Sequence, residues 1–361
     1  MKSSEIAALI KKAEDFKQKG RYHESLMLFK TALRGLRSRN DVGGMLECAL
    51  SVGDLHRMIG NFDAAEKSYV NALEMAAALD DLVSLADAKA GLGLSLRGKG
   101  EWKKALKLFG EALRFYKKNN DRHGIAFILW ATAGALRIKG DIGKAIRTYR
   151  ESLELFRSLR FRPATGYCLC GLGGTSRVAG LFDDSLRYYA AANKLFAGIK
   201  ETFGLAYSYC GIGNAYRMLG DYRKALASFN RASSLYRKIG DRVSYSYTLW
   251  SIGTTYKMLG RHDKAVSYFR TAGNLFRKTK DPRGLVYCKL GLGEVAMLQG
   301  RSAAAKRYFI SSVDDARKYG FAVEKCHAET LLTGLSGQGA KACYNKLGLR
   351  LHFTEAPFNL P

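Results

Sequence analysis

After Gly60 the apolar positions of the chain fall at Phe62, Ala65, Tyr69 and Ala72, and after Gly220 at Tyr222, Ala225, Phe229 and Ala232. Spacings of three and four place each set on one face of a helix, with charged residues covering the other. A second amphipathic segment precedes each glycine. In five cases it opens with an aspartate (Asp41, Asp81, Asp121, Asp241, Asp281) whose carboxylate can accept the first free backbone N–H groups. The pattern predicts antiparallel helix pairs, helix A then helix B. The glycine makes the left-handed turn between them, and Asn61, Asp141 and Asp221 directly after it are candidate caps of helix B.

The glycines stand on a ruler. Gly20, Gly60, Gly100, Gly140, Gly180, Gly220, Gly260 and Gly300 lie forty residues apart without an insertion, so the chain is eight copies of one hairpin. Cys210 to Phe229 reads CGIGNAYRMLGDYRKALASF, and Trp250 to Phe269 reads WSIGTTYKMLGRHDKAVSYF. What repeats is a size code. Helix A keeps Gly53, Gly93, Ala133, Gly173, Gly213, Gly253 and Gly293, and helix B keeps Ala65, Ala105, Ala145, Ser185, Ala225, Ala265 and Ala305. Opposite these small residues stands one ring per repeat: Tyr69, Phe109, Tyr149, Tyr189, Phe229, Phe269 and Phe309. Rings over small residues are how closely approaching helices fill space.

These columns resemble the tetratricopeptide repeat, with L-G-x2-Y in its first helix and A-x3-F-x2-A in its second. Ile212, Gly213 and Tyr216 match the first part, and Ala225, Phe229 and Ala232 the second; the first repeat keeps Ala13, Phe16, Ser25, Phe29 and Ala32 but lacks the Leu-Gly pair. The forty-residue period exceeds the usual 34, and no proline follows helix B. In this the repeats look like those of the Pins-type (Leu-Gly-Asn) adaptors that orient mitotic spindles, most closely at Gly211 to Tyr222, although only Asn214 keeps the asparagine and no G-protein-binding tail motif follows. The resemblance implies an all-α fold, a right-handed superhelical solenoid of eight helical hairpins over 1–319. Capping helices are expected over 320–348 and an extended tail over 349–361.

Composition narrows the function classes. Four prolines suit an all-helical chain, and 59 Lys and Arg against 32 Asp and Glu give a formal charge of +27, which attracts nucleic acid, anionic lipid or acidic protein without choosing among them. The seven cysteines are odd in number and form no C-x-x-C pair, so they are expected as reduced thiols, with Cys170 and Cys210 as small buried residues. No apolar run approaches the roughly 18 residues of a membrane span, and MKSSEIAALIKKAEDFKQKG lacks the core of a signal peptide, so the expected location is cytoplasmic. No phosphate loop, H-E-x-x-H, G-x-S-x-G or paired carboxylates occur, and G-L-G-G at Gly171 to Gly174 belongs to the packing column. No enzyme activity, metal or cofactor is expected.

In such stacks helix A lines the concave face. Four residues after each small position stand Arg57, Arg97, Arg137, Arg177, Arg217 and Lys257; six and three before it stand Phe127 with Trp130, Tyr167 with Cys170, Tyr207 with Cys210, Tyr247 with Trp250, and Tyr287 with Leu290. Guanidinium forks suit carboxylates, and rings supply apolar and cation–π surface. Arg97, Arg137, Arg177, Arg217 and Lys257 are therefore the expected clamp for acidic groups. Phe127, Trp130, Tyr167, Tyr207, Tyr247, Trp250 and Tyr287 are expected to take apolar side chains. Asn214 is expected to hold ligand backbone, which would come closest over Gly134 and Gly174. Glu47, Asp54 and Asp87 make the N-terminal mouth acidic.

The expected function is a protein-interaction adaptor whose basic aromatic groove binds a protein or peptide segment with acidic and apolar residues. The same columns also serve an RNA- or single-strand-binding solenoid, or a self-assembling scaffold. A plainer reading pairs each Arg with a carboxylate and buries the rings as packing. The cations that crowd the ends of helix B, such as Arg114, Lys117 and Lys118, suit helix C-termini on dipole grounds alone. The tail, with Phe353, Glu355, Phe358 and Leu360, has residue types the groove would accept, its own or that of a second copy.

Overall fold

The computed structural model describes residues 1–334, 341–351 and 357–361. The chain is all α. Eight hairpins follow one another: α1 (Ser3–Gln18) with α2 (Tyr22–Arg37), α3 (Val42–Met58) with α4 (Phe62–Ala78), α5 (Leu82–Gly98) with α6 (Trp102–Lys118), and α7 (Arg122–Lys139) with α8 (Ile142–Ser158). Then come α9 (Arg162–Val178) with α10 (Phe182–Gly198), α11 (Thr202–Met218) with α12 (Tyr222–Ile239), α13 (Arg242–Met258) with α14 (His262–Thr279), and α15 (Pro282–Leu298) with α16 (Ser302–Tyr319). Two further helices, α17 (Ala322–Gly334) and α18 (Lys341–Lys346), close the stack. The Ser336 to Gly339 break, Phe353 and Glu355 lie outside the described residues.

Local chemistry sets these boundaries. Asp41, Asp81, Asp121, Asp241 and Asp281 each accept a backbone N–H in the first turn of their helix, and Glu201 does the same for α11. Asn61 and Asp221 cap their B helices, but the Asp141 side chain makes no such bond. The eight ruler glycines all have positive φ. So do the residues midway between them, Asn40, Asp80, Asn120, Arg160, Lys200 and Lys280, together with Gly240 and Gly320. Arg160, Lys200 and Lys280 have no local sequence signal for that conformation, which strains a side chain by roughly 1–2 kcal/mol; the packing of the hairpins on either side imposes it.

The ring column works as inferred. A methyl group on Gly53 would lie 2.8 Å from the Tyr69 ring, and one on Gly91 of the next repeat would collide with the same ring. Each knob therefore fixes its own helix A and the following one together. Tyr69, Phe109, Phe229, Phe269 and Phe309 are at most 2% exposed.

The stack winds until it meets itself. The Trp102 indole donates to the Tyr319 carbonyl at 3.1 Å, and Lys280 pairs with Asp63, each contact bridging 217 residues. The turns after α12, α14 and α16 thus rest on the glycine turns of the first three hairpins, with Ile239 and Phe321 buried between the layers. The Arg350 N–H donates to the Ala179 carbonyl at 2.9 Å and ties the cap to the fifth turn.

The cap corrects one expectation. Cys326 of α17 and Cys343 of α18 form a disulfide, with Cα atoms 5.7 Å apart, while Cys48, Cys168, Cys170, Cys210 and Cys288 are buried free thiols. Beside the bridge His327 Nδ1 and the Tyr344 hydroxyl share a 2.8 Å hydrogen bond. Among the described residues no helix is long and apolar enough to cross a membrane.

The layer contact can be separated from turn strain by two matched substitutions. Gly60 (φ +78°) has Val243 2.5 Å from where a Cβ would sit, whereas Gly260 (φ +69°) has nothing within 4 Å. Both Gly→Ala changes add the left-handed strain of roughly 1–2 kcal/mol. Gly60→Ala alone adds an overpacked contact worth about 1–3 kcal/mol more. Chemical unfolding is expected to show the larger midpoint loss for Gly60→Ala; equal losses would mean that the layers do not bear on each other.

Candidate functional site

The A helices line a cavity of about 860 Å³ along the axis of the solenoid. One rim is cationic; the other is acidic around Arg283, whose guanidinium pairs with the buried Glu324. The last turns of α5, α7 and α9 bring in Arg97, Arg137 and Arg177, and Asp121, Asp241 and Asp281 enter from the first turns of α7, α13 and α15, with Asp87 beside them. Between the rims stand Phe127, Trp130, Tyr167, Tyr207, Tyr247, Trp250 and Tyr287. Phe127 stacks on Trp130 within α7 at 5.8 Å, and Trp250 of α13 packs on Tyr287 of α15 at 4.7 Å. Trp250 and Tyr287 are buried, the Trp250 indole donating to the Tyr287 carbonyl, while Phe127, Trp130, Tyr167, Tyr207 and Tyr247 keep open surface.

The cation column divides into three parts. Arg57 is consumed locally: it bonds Asp54 at 3.1 Å, and Asp54 also accepts from the Tyr69 hydroxyl and lies 3.9 Å from Lys17. Asp54 is thereby removed from the acidic mouth. Arg97, Arg137 and Arg177 have, among the described residues, no carboxylate within ion-pair distance. Arg97 lies 5.3 Å over the Trp130 ring and donates to the Ala131 carbonyl at 3.3 Å. Arg137 Nε, Arg177 Nε and Arg177 Nη1 are buried without any hydrogen-bond partner. Buried donors of this kind are uncommon and ask for an acceptor.

Arg217 and Lys257 form the third part, and here the expectation of open clamps is corrected. Both are almost fully buried, at 0% and 2% exposure, beneath residues 357–361. Lys257 donates to the Phe358 carbonyl at 2.7 Å and pairs with Glu294, which also accepts the Phe358 N–H. Arg217 donates to the Leu360 carbonyl at 2.9 Å and to the Asn359 side-chain oxygen, while the Asn359 amide donates back to the Arg217 carbonyl at 2.7 Å. Phe358 and Leu360 sink among Val286, Leu290, Phe309 and Leu331, and Pro361 forms part of the cavity wall. The segment, turned at Asn359 by a 3.0 Å bond from the Leu360 N–H to the Phe358 carbonyl, sits in its own trough.

Two further placements differ from expectation. The space over Gly134 is filled by the Arg97 guanidinium, and over Gly174 the Tyr189 hydroxyl lies 2.9 Å from where a Cβ would be, so neither glycine leaves room for a ligand backbone. Asn214 spends its amide internally, on the Cys210 carbonyl at 3.1 Å and on Arg217 at 3.2 Å. Two residues outside the expected set reach the sites, Glu294 at the Phe358 N–H and Tyr189 in the cavity wall. Glu294 carries a visible signal, a carboxylate where the preceding four repeats hold glycine, asparagine or threonine. The Tyr189 hydroxyl carries none, because phenylalanine fills the same packing column.

Burial acts on the acidities unevenly: it lowers the Arg137 guanidinium, but Tyr149, then Tyr207 and Tyr189, outweigh it and the net direction is up. Burial first, and repulsion from Arg57 and Arg137, pull the Arg97 guanidinium down to about 10; burial, then Arg177, pull Arg217 down to about 9. Both remain cationic at neutral pH and would gain from an incoming anion. On the opposite rim burial pushes Asp241 up to about 6 and also raises Asp281 and Asp87. Among the described residues no three His, Cys, Asp or Glu side chains gather as a metal site requires.

The tetratricopeptide repeat family matches residues 45–118, 84–158, 164–238 and 204–278, more than half of the chain, and the chain belongs to that family. Solved structures of similar fold include the Rap conjugation gene regulator of plasmid pLS20 in complex with the Phr* peptide, with TM-score 0.67 and 12% identity over 87% of this chain and 95% of that one. A Rap protein complexed with competence and sporulation factor gives 0.61 and 15% over 93% and 98%, and NprR with its cognate peptide NprX gives 0.58 and 13% over 81% and 84%. At these identities the likeness is one of fold. No curated protein matches the sequence.

The raised acidity of Asp241 has a stability signature. Its folded-state value of about 6 exceeds the unfolded value near 3.8, so its contribution is fully present below about pH 4 and is lost as pH rises to about 6. The loss amounts to at most about 3 kcal/mol. Asp241→Asn keeps the cap and removes the titration. Thermal unfolding from pH 4 to pH 7 is expected to show the variant gaining on the parent across that window; parallel curves would mean that Asp241 ionises freely.

Proposed function

We propose that the cavity binds a short extended peptide. The observation that carries this reading is the set of guanidinium groups, Arg97, Arg137 and Arg177, that share one wall with no carboxylate partner. Such groups are held at the cost of lost hydration, and a ligand carboxylate restores what they lack. The aromatic wall takes apolar side chains, and the carboxylate rim takes an amino group or a lysine. Asp121 and Arg137 bracket α7, so the rims lie roughly 24 Å apart at 1.5 Å per residue. About seven extended residues span that distance. The favoured ligand is therefore near a heptapeptide, cationic at one end, apolar in the middle and acidic at the other. Fold-alike proteins solved with the Phr* and NprX peptides support a peptide as the class of ligand.

The carboxylates Asp87, Asp121, Asp241 and Asp281 weigh against nucleic acid in this space, because a phosphate backbone long enough to fill it meets them. Affinity selection from a heptapeptide library, followed by fluorescence anisotropy of the winners, tests the reading. Arg137→Glu combined with Arg177→Glu is expected to weaken the selected peptide at least a hundredfold while the helical circular dichroism is kept, since neither residue is ion-paired. Undiminished affinity in that variant would sink the proposal. So would a single-stranded RNA probe that binds in the cavity with a steep salt slope while no peptide is selected.

A further inference from the structure

Residues 357–361 are held in the manner of a bound ligand. Two cations from the same column that faces the open cavity, Arg217 and Lys257, donate to the main-chain carbonyls of Leu360 and Phe358. Glu294 accepts the Phe358 N–H, so the main chain is gripped through both its donors and its acceptors. Asn359 is read twice by one residue, its oxygen by the Arg217 guanidinium and its amide by the Arg217 carbonyl. Phe358 and Leu360 are 6% and 2% exposed. The Leu360 N–H donates to the Phe358 carbonyl at 3.0 Å, so the segment closes a γ-turn on Asn359 that sends Phe358 and Leu360 into one apolar floor while the Asn side chain meets Arg217. Pro361 then enters the wall of the cavity, which places the segment end-on to the space left open.

We propose that the Arg217, Lys257 and Glu294 clamp is a second peptide subsite, continuous with the cavity, that recognises an aromatic-Asn-Leu sequence turned at the Asn, and that Phe358-Asn359-Leu360 is its tethered occupant. The inference rests on the peptide-binding reading of the cavity and adds to it a sequence class and a competitor. An outside peptide carrying the same three residues displaces the segment, and the segment lowers the apparent affinity of every such peptide by the fraction of time it is seated. The Asn is selected because both halves of its amide are satisfied; alanine leaves one Arg217 guanidinium donor unmatched and takes from the Arg217 carbonyl the second of its two donors, the Gly220 N–H remaining.

The test uses a fluorescein-labelled hexapeptide with the sequence of Ala356 to Pro361, added to the full chain. Phe358→Ser combined with Leu360→Ser removes the anchors of the tethered copy and leaves the clamp intact. This variant is expected to bind the probe at least tenfold more tightly than the parent, and an Asn→Ala probe is expected to lose at least tenfold on it. A folded variant that binds the probe no better than the parent, or binds both probes alike, overturns the proposal. Should the double variant fail to fold, Asn359→Ala in the full chain loosens the tether with both anchors kept and is expected to raise probe affinity severalfold. Absence of that gain identifies the segment as a structural cap and overturns the proposal equally. The variant Arg137→Glu with Arg177→Glu leaves the clamp residues untouched. A hexapeptide bound there while library peptides are lost therefore separates this subsite from the cavity.

Discussion

The one constraint from which the rest of the structure follows is the sharing of each helix B ring between two A helices. Tyr69 is held by Gly53 of its own hairpin and Gly91 of the next, and Tyr189 likewise by Gly173 and Gly211. A ring packed on two backbones at once has no freedom to let successive hairpins drift, because protein interiors deform by steps and resist gradual slippage. Every repeat therefore adds the same rotation. With hairpins of constant length the rotations accumulate until residues 217 apart touch, and the solenoid closes a layer on itself. An insertion in any repeat between them would have broken the meeting of Trp102 with Tyr319.

Closure turns a helical need into a site. Each helix A wants an acceptor at its N-terminus and a cation in its last turn, where the macrodipole stabilises them by roughly 0.3–1 kcal/mol each. Stacking in register lines up the aspartates on one rim and the arginines on the other, and winding folds the two rims around one space. Charges that would be solvated on a single hairpin are then dried by their neighbours. Arg57 answers this with Asp54, Arg97 with the Trp130 face, and Arg217 with the carbonyl and amide of the 357–361 segment. Arg137 and Arg177 keep donors unanswered, as do the Nε atoms of Arg57 and Arg217, and Arg177 alone leaves two. A polar lining arranged for helix stability thus becomes a cavity with unmet hydrogen-bonding capacity.

What could be read from the sequence was whatever one repeat decides by itself. The aspartate caps, the left-handed glycines and the ring-over-glycine code each act within a few turns and recur eight times, so the chain announces them. The columns also placed the rings and the first arginines on one face. What could not be read depends on sums over many repeats or on the far end of the chain. The left-handed turns at Arg160, Lys200 and Lys280 are imposed by hairpin packing against local preference. Asn214 is engaged by Arg217 of its own helix, and the space expected over Gly134 is filled by Arg97, whose reach across the repeat boundary no column reveals. The Cys326–Cys343 bridge lies in the cap, where the repeat has ended and spacing carries no information.

The net charge of +27 changes meaning once its location is known. Arg114, Lys117, Lys118, Arg237, Lys238, Arg277 and Lys278 stand exposed at the outer ends of B helices, where water and the helix dipole already satisfy them. They raise the general attraction of the surface for anions and are screened within about 8 Å at physiological salt. The inner cations are few, dry and faced by carboxylates across the cavity. Their field is short, directional and bipolar, which a uniform polyanion matches poorly and a zwitterionic segment matches well. The Asn359 seat supports the same conclusion from inside the molecule. At the most deeply buried guanidinium of the column the chain places a neutral amide and one carbonyl, so recognition there runs through hydrogen-bond geometry along a peptide backbone and needs no anionic charge.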